Sequence, residues 1–525
     1  MATNPAGRSQ SNLTMRIAAG LRWSYLGNAA LMAAHLTYTA TISRLLDPTA
    51  FGLIALANLV VLFTQFFVRL GIASAIVQKP ELSKEDIRAA ATAGIVLGAA
   101  CFALIWVLSP AISNLFGEPT LSPVLRALGA SCLFQGFSMT GVGLLLRAHR
   151  FRELSTITVG TYVLGFLVVG VGSAMLGAGV WSLVAASLVT HVSQVIWQYA
   201  LLAHPVRPVL RWAPYRAVCG YGMRLSGAHL MDHVGSSLDT LAVGRFASAA
   251  VLGQYSRAYY LVFQPLRLYL TQALESVLFS HLSRIQDDSG RLRRAYISVL
   301  TLGSTVLFPI CAGMAVSASE LVAVVLGPQW NLAATIVPWF ALAGGLSVIS
   351  KLSQALAEAR AELNRSLMVQ GAYLVVLGAV LAAAIYWRSQ GVWVFAAAVL
   401  VGEFLRHLGY IGLMQRILGL PLALLAQSYA SAVSASFVVA ITIAVVRRAL
   451  IGQLSTLGIL AVEVGVGALA LALCIRLYPR PFVRREFRMR LTAAGALGEI
   501  GGLRWRLAPL LLGRAEPVTT SERRS

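Results

Sequence analysis

Apolar residues are gathered into long runs along nearly the whole chain, and short polar segments separate one run from the next. Each run is long enough to cross about 30 Å of hydrocarbon as an α-helix, and a helix satisfies its own backbone hydrogen bonds in a membrane. The pattern therefore predicts an all-α integral membrane protein. The predicted transmembrane spans number about 14 and cover 17–43, 50–76, 89–110, 124–146, 155–176, 180–202, 218–243, 251–273, 296–316, 334–355, 367–387, 391–413, 422–446 and 456–476.

Composition agrees with this fold class. The chain of 525 residues is 58% hydrophobic and 12% charged, whereas soluble domains contain about 25% charged residues. The first apolar run is too long for the core of a signal peptide, so we expect it to be the first span. The five cysteines lie in or at the ends of apolar runs without metal-ligand spacing, so neither a metal site nor a cofactor is predicted.

The distribution of lysine and arginine over the loops sets the expected orientation. With the N-terminus placed in the cytoplasm, 28 of these residues lie in inside loops and tails, and five lie in outside loops. Cytoplasmic loops carry the excess of Lys and Arg in membrane proteins. Both termini are therefore predicted to be cytoplasmic.

One short motif occurs twice, at a spacing of 201 residues. Arg44 and Gly52 in SRLLDPTAFG correspond to Arg245 and Gly253 in GRFASAAVLG. Such an internal match is typical of transporters that contain two structural repeats. The motif therefore predicts that the two halves of the chain are related copies.

A second pair of segments supports the repeat. LSPAISNLFG (108–117) and ASELVAVVLG (318–327), both predicted as outside loops, are 210 residues apart. Six predicted helices separate the copies, so both halves have the same orientation, and parallel repeats commonly pack around a central cavity. The predicted organisation is a cytoplasmic N-terminus (1–16), a first six-helix bundle (17–216), a second six-helix bundle (217–421), two additional transmembrane helices (422–476) and a basic cytoplasmic tail (477–525).

Several segments are characteristic of one family of exporters. The first half contains ISRLLDPTAFGLIALA (42–57) and LGIASAIVQK (70–79), and the second contains LDTLAVGRFASAAVLGQYSRAYYL (238–261) and VLGPQWNLAA (325–334). With these segments the chain resembles the polysaccharide-transport branch of the multidrug/oligosaccharidyl-lipid/polysaccharide exporter superfamily, which includes the Wzx-type oligosaccharide flippases. Ser280 is a departure, because family members often have proline there.

The resemblance implies a fold of two six-helix bundles in a V shape, with two further helices appended. It also implies a function, the movement of undecaprenyl-diphosphate-linked sugar units across the bacterial inner membrane for polysaccharide synthesis. A polysaccharide polymerase and glycosyltransferases are the protein partners that this function implies.

Ionisable side chains inside a membrane are costly, so each is a candidate for function. A lipid-linked diphosphate would be received by cations along its path. Snorkelling and the positive-inside bias also place basic residues near the cytoplasmic ends of spans, so both readings apply to each cation. The predicted substrate-binding residues are Arg22, Arg69, Arg224, Arg257, Gln264, Arg267 and Lys351.

The seventh and eighth predicted helices carry the densest polar face. Arg257 and Gln264 are seven residues apart and share one helix face, and so do Asp232 and Asp239. The resemblance extends to the lipid II flippases, whose corresponding helices supply arginines to the cavity, which adds weight to Arg257 and Arg267.

Asp239 has two readings. It pairs with Arg245 or Arg257 as a structural latch, or it acts, like Asp232, as a proton or sodium site that couples transport to a gradient. The sequence leaves both open.

Three other polar features are weaker. Glu403 and Arg406 are spaced i,i+3 and are expected to neutralise each other. His229 and His233 are one turn apart, but no third and fourth ligands accompany them, so no metal site is predicted. Glu463 receives no role from the sequence.

The C-terminal tail is basic. Ten arginines lie in residues 477–525, and RPFVRREFRMR (480–490) interleaves them with aromatic residues beside the last span. A basic segment next to a membrane attracts anionic lipids, so we expect lipid rather than nucleic acid as its partner.

Three other functions are alternatives. A drug or organic-cation antiporter would favour buried carboxylates over arginines. A polyprenyl-linked glycosyltransferase or polysaccharide polymerase would need outside acidic groups or a large outside loop, and the outside loops offer only Asp47, Glu118 and Glu320. A non-transporting scaffold for polysaccharide assembly is the third. The balance favours a transporter and not an enzyme.

Overall fold

The computed structural model describes residues 5–69, 72–79, 81–202, 231, 234–266, 289–360 and 362–477. All regular secondary structure in these ranges is helical. The α-helices are α1 Pro5–Leu45, α2 Pro48–Arg69, α3 Ile72–Gln78, α4 Lys84–Phe116, α5 Leu121–Arg147, α6 Phe151–Tyr162, α7 Val171–Met175, α8 Val180–Leu202, α9 Leu238–Phe246, α10 Ala249–Pro265, α11 Ser289–Val316, α12 Ala318–Val325, α13 Asn331–Ala359, α14 Leu363–Tyr386, α15 Trp393–Leu418, α16 Leu422–Leu450 and α17 Thr456–Leu477.

Three shorter elements lie between these helices. A π-helical segment, Val163–Gly170, joins α6 to α7, and 3₁₀ turns cover Pro328–Trp330 and Arg388–Gln390. A π-helical stretch widens the helix locally and occurs often at functional sites.

Eleven helical stretches in the described ranges are long and apolar enough to cross a membrane. They coincide with the predicted spans 2–6 and 9–14. The first predicted span lies within α1, which has 41 residues, and residues 218–230 and 267–273 of the seventh and eighth lie outside the described ranges. The chain is a multi-pass helical membrane protein, and the total of fourteen spans stays a prediction.

Two segments that we predicted as outside loops are helical instead of irregular, and their outside location stays a prediction. α4 continues through Pro110 to Phe116, where Gly117 ends it at a φ of 69°, and residues 318–325 form α12. Membrane helices tolerate proline because neighbouring groups satisfy the freed carbonyl. The buried hydroxyls of Ser109 and Ser113 show that this end of α4 is packed.

The chain forms two compact units that interleave along the sequence. The first comprises Met1–Leu268, Val325–Ile336 and Gln370–Gly402. The second comprises Tyr269–Val324, Val337–Val369 and Glu403–Ser525. The division by sequence into 17–216 and 217–421 stays a prediction.

In the first unit, the two copies of the repeated motif pack directly on each other. A Cβ added to Gly52 of α2 would lie 1.8 Å from the carbonyl oxygen of Ala249, and a Cβ added to Gly253 of α10 would lie 1.8 Å from that of Pro48. At the offset of 201, Pro48 corresponds to Ala249 and Gly52 to Gly253. Each glycine therefore meets the same position of the other copy, at a distance that only glycine permits.

The second unit contains the ion pair predicted on α15. Glu403 and Arg406 form a salt bridge, and both side chains are less than a tenth exposed. The neighbouring His407 lies between the hydroxyls of Ser350, at 3.1 Å, and Tyr429, at 2.9 Å. The prediction of mutual neutralisation is confirmed.

Candidate functional site

Arg257 of α10 lies among aromatic rings in the first unit. Its guanidinium carbon is 4.3 Å from the ring centroid of Phe51 and 5.2 Å from that of Tyr260. Such cation–π contacts stabilise a cation that has left water. The guanidinium Nε is buried, and no described residue accepts a hydrogen bond from it.

Two tyrosines lie within electrostatic reach of Arg257. Tyr38 of α1 and Tyr162 of α6 are 5% and 9% exposed, and the charge of Arg257 acts on both phenols. Within the described part of the chain, neither hydroxyl has a hydrogen-bond partner. We call Arg257, Tyr38 and Tyr162 the donor cluster.

Ring stacking fixes the two phenols. Tyr162 stacks on Phe166 of the π-helical segment with centroids 4.7 Å apart, and His35 of α1 stacks on Tyr162 at 5.2 Å. Tyr38 meets Tyr162 and Phe166 edge-on, at 6.3 and 5.0 Å. The rings leave little freedom to the hydroxyls, so the donors are pre-positioned.

Three of the sequence segments that carry the family resemblance meet beside this cluster. Trp330 Nε1 donates to the carbonyl of Ser43 at 2.9 Å, and Gln329 Nε2 donates to the same oxygen at 2.6 Å. Gln254 Nε2 donates to the carbonyl of Gln329 at 2.7 Å, and the ring of Phe51 lies edge-on to Trp330, with centroids 5.3 Å apart. These contacts thus fix the positions of α1, α2 and α10 relative to one another, through the segments around 43–51, 254 and 329–330.

The donor cluster is suited to an anion. A guanidinium offers only donors and stays protonated in proteins, and a phenol donates one hydrogen bond. Charge-assisted hydrogen bonds from arginine to phosphate oxygens are among the stronger hydrogen bonds of proteins. Three buried donors that find no acceptor among the described residues therefore have the chemistry that a phosphate-like group requires.

The remaining predicted site residues fall in different places. Arg22 lies in α1 and Arg69 ends α2, with side chains outside the described part of the structure. Gln264 is partly buried on α10, two turns beyond Arg257. The residues that lie outside the described ranges altogether are Arg224, Arg267, Asp232, His229 and His233.

Lys351 belongs to the second unit. Its ammonium donates to Gln354 Oε1 at 3.0 Å, and Gln354 Nε2 donates to Glu358 Oε1 at 3.0 Å. This chain of contacts along α13 gives the lysine local partners. Its role in binding substrate stays a prediction.

Asp239 has a tyrosine partner instead of the arginine that we expected. Its carboxylate is 2% exposed and accepts a hydrogen bond of 2.8 Å from the hydroxyl of Tyr255. Arg245 is exposed and lies against Phe246, with 5.8 Å between guanidinium and ring. The contact links α9 to α10 and supports the latch reading.

Sequence reasoning missed Tyr38, Tyr162 and Gln254. No motif marks the two tyrosines, because a tyrosine in an apolar span reads as a packing residue. Gln254 stands in the GQYSRA stretch, and its position among residues of the resemblance was the one available signal.

The family of the chain follows from its match to a known sequence family. The model of the family described as "Polysaccharide biosynthesis protein" matches residues 41–335. The chain belongs to this family. The matched range of this polysaccharide biosynthesis family includes Phe51, Tyr162 and Arg257, whereas Tyr38 lies just before it. The resemblance drawn from the sequence segments is confirmed.

Three relatives are named for the biosynthesis of three different polymers. The lipopolysaccharide biosynthesis protein WzxC of Escherichia coli (strain K12) is 23% identical over 386 residues, which cover 71% of this chain and 77% of that protein. The teichuronic acid biosynthesis protein TuaB of Bacillus subtilis (strain 168) is 22% identical, with coverage of 73% and 80%. The succinoglycan biosynthesis transport protein ExoT of Rhizobium meliloti (strain 1021) is 24% identical, with coverage of 62% and 65%.

Two solved structures share the fold of this family member. The lipid II flippase MurJ in an inward closed conformation superposes with a TM-score of 0.70 at 9% identity, covering 88% of this chain and 98% of MurJ. An inward-facing multidrug resistance MATE family transporter of the MOP superfamily gives 0.57 at 15% identity, with coverage of 74% and 94%. The fold is that of the MurJ and MATE transporters.

Proposed function

We propose that the protein moves oligosaccharide units linked to undecaprenyl diphosphate across the bacterial inner membrane, for the synthesis of a cell-surface or extracellular polysaccharide. Membership of the polysaccharide biosynthesis family and the transport named for one relative support this function. The donor cluster is the observation that carries this proposal, because its donors fit the diphosphate, which is the same in every such lipid-linked sugar unit.

The depth of Arg257 in its helix fits a substrate that enters the membrane. Arg257 is eight residues beyond the start of α10, so it lies about 12 Å along the helix axis. Substrate sites of secondary transporters lie near the bilayer midplane. A diphosphate at Arg257 would give acceptors to the guanidinium and to the hydroxyls of Tyr38 and Tyr162, which otherwise stay unsatisfied at a cost of about 1–3 kcal/mol each.

The proposal includes the V-shaped arrangement of two six-helix bundles, two further helices, and both termini in the cytoplasm. The likeness to MurJ and the distribution of Lys and Arg support it. Residues 452–455, between α16 and α17, are exposed and predicted to be outside. A reporter that works only in the periplasm should be active when inserted there and inactive when fused at Ser525. A reporter that works only in the cytoplasm should be active at Ser525. Activity of the periplasmic reporter at Ser525 would contradict the fourteen-helix count.

The charge of the site disfavours an organic-cation antiporter, the alternative within transport. The aromatic rings of Phe51 and Tyr260 already hold the guanidinium of Arg257, and a second cation beside it would be repelled. The proposed function is transport without catalysis. The sugar unit is moved unchanged, and no bond is broken.

The test measures flipping in vesicles that contain the purified full chain. The probe is undecaprenyl diphosphate that carries a fluorescent N-acetylglucosamine, and dithionite added outside quenches the outer leaflet. Wild-type protein should expose the inner pool, whereas Arg257→Gln should slow exposure about 10- to 100-fold, because a charge-assisted hydrogen bond contributes about 1.5–3 kcal/mol. Tyr38→Phe and Tyr162→Phe should each slow it less.

Arg126→Gln is the matched control. Arg126 also lies in a span and lies against an aromatic ring, 5.0 Å from Trp106, but its Nε donates to Ser109 at 2.9 Å. Its Nε therefore has a structural partner, which the described residues do not provide for the Nε of Arg257. Equal loss of flipping in both variants at equal protein abundance would contradict the donor cluster, and absence of flipping by the wild type in this system would contradict the function.

A further inference from the structure

Glu463 of α17 is a buried acid that the substrate site does not use. Its side chain belongs to the second unit and is 1% exposed. Neither carboxyl oxygen has a hydrogen-bond partner in the described residues. The residue is seven positions beyond the start of α17, about 10 Å along the helix axis, so it lies inside the span.

Among the described residues, Arg447 is a cation whose charge acts on Glu463, and it already serves another carboxylate. Arg447, near the end of α16, donates from Nε to Glu320 Oε1 at 2.8 Å. Its terminal nitrogens donate to the hydroxyl of Ser319 at 2.6 Å and to the carbonyl of Val316 at 3.2 Å. All three acceptors lie at the junction of α11 and α12, so Arg447 fastens α16 to that junction.

The charges around Glu463 do not balance if it is ionised. The Ser317 hydroxyl at the junction is a polar neighbour of Glu463, although it makes no hydrogen bond of normal geometry to either carboxyl oxygen. The charges of Glu320 at the junction and of Arg447 on α16 also act on Glu463. One guanidinium then faces two carboxylates. An isolated carboxylate in an apolar interior is so unfavourable that the acid takes up a proton instead.

We propose that Glu463 is a proton-binding site, held as a neutral carboxylic acid while Arg447 is paired with Glu320. A proton needs a single oxygen, whereas a metal cation needs several oxygen ligands. The other acceptors of the junction, Glu320, Ser319 and the carbonyl of Val316, are already occupied by Arg447. The chemistry of the site therefore favours H⁺ over a metal ion.

Deprotonation would change which contact Arg447 makes. Release breaks the O–H bond of Glu463 and gives the proton to water, which leaves a carboxylate that competes with Glu320 for the guanidinium. Transfer of Arg447 to Glu463 would fasten α16 to α17 and release it from α12. The protonation state of Glu463 thus determines whether Arg447 connects α16 to α12 or to α17. This effect does not depend on the substrate proposed above.

The test is chemical labelling of the full chain in lipid nanodiscs. Dicyclohexylcarbodiimide reacts with protonated carboxyls in apolar surroundings, and mass spectrometry of peptides locates the adduct. Across a pH series, Glu463 should be labelled at pH 7 and Glu320 should not. The label on Glu463 at pH 7 would contrast with an ordinary glutamate, which has a pKa of about 4.3 and is ionised at that pH, and Glu463→Gln should remove the adduct.

Two further measurements separate the alternatives. Glu320→Gln frees Arg447 to pair with Glu463. The pH at which half of Glu463 is labelled should therefore fall by at least one unit. Absence of the Glu463 label at pH 7 in the wild-type protein, or equal labelling of Glu320, would overturn the proposal. Suppression of the label by sodium chloride, but not by choline chloride, would instead identify a sodium site and overturn the proton site.

Discussion

Replacing Gly52 or Gly253 by alanine tests the contact between the two motif copies. At Gly52 the new Cβ would lie 1.8 Å from the carbonyl oxygen of Ala249 and 2.6 Å from its carbonyl carbon. Backbone atoms cannot rotate away as a side chain can. α2 and α10 must therefore separate by at least about 1.2 Å before the Cβ reaches 3.0 Å, below which real Cβ contacts essentially never occur.

The magnitude follows from this separation. Forcing one extra carbon into a packed interface costs about 1–3 kcal/mol, and a gap of about 0.5–1 Å forfeits a quarter to a half of each dispersion contact. The unfolding entropy of about 2.1 cal/mol/K per residue gives about 1 °C per kcal/mol for a chain of this length, so we expect each variant to melt about 1–3 °C lower.

The assay is the apparent melting temperature of detergent-purified protein at one fixed scan rate, since membrane proteins often unfold irreversibly. Gly371→Ala on α14 is the control, because no atom lies within 4 Å of its added Cβ. A single separation of the two helices relieves both clashes. The double variant Gly52→Ala/Gly253→Ala should therefore lower the melting temperature by less than the sum of the two single decreases. Single variants that melt like the control, or a double variant that is fully additive, would refute the reasoning.

Three other predictions concern carboxylates of the first unit. Tyr255→Phe should lower the same melting temperature, because a buried acceptor that loses its donor costs about 1–3 kcal/mol; an unchanged value would remove the latch. Asp239→Asn should still flip the probe under an imposed potential without ion gradients, since each charge gains about 2.3 kcal/mol per 100 mV; a variant that stays inactive while the wild type flips with a proton or sodium gradient would assign coupling to Asp239. The Thr49 hydroxyl and amide hold the pKa of Asp47 below its usual value, so Asp47→Asn should melt lower at pH 7, and the difference should start to shrink below about pH 4 and be lost as the pH falls through the lowered pKa; a difference that does not shrink on acidification would contradict this.

Hydropathy predicted most of the helices, because a membrane span must be long and apolar whatever it packs against. It ended the third span too early, at 110, and left 318–327 as a loop, whereas α4 continues to Phe116 and residues 318–325 are helical. There the neighbouring helices decide the conformation, because Ser109 and Ser113 are buried against them, and local composition does not record these contacts.

The candidate site was predictable in part, for a related reason. Arg257 was identified because a charge inside a membrane is rare and costly, and the Glu403–Arg406 pair because a helix brings i and i+3 together. Tyr38 and Tyr162 were missed because their significance lies in unsatisfied hydroxyls, which exist only once the helices are packed. The Tyr255–Asp239 contact likewise joins two helices and has no signature along the chain.

The reciprocal glycine contact has a consequence for how such a chain could arise. A contact in which a residue of one copy meets its counterpart in the other is isologous, the geometry of two-fold dimers. A single six-helix chain with this motif could associate with a second copy of itself through the same surface, with Gly52 serving both sides. In this chain the position exists twice, as Gly52 and Gly253, and a side chain at either one opens the interface for both.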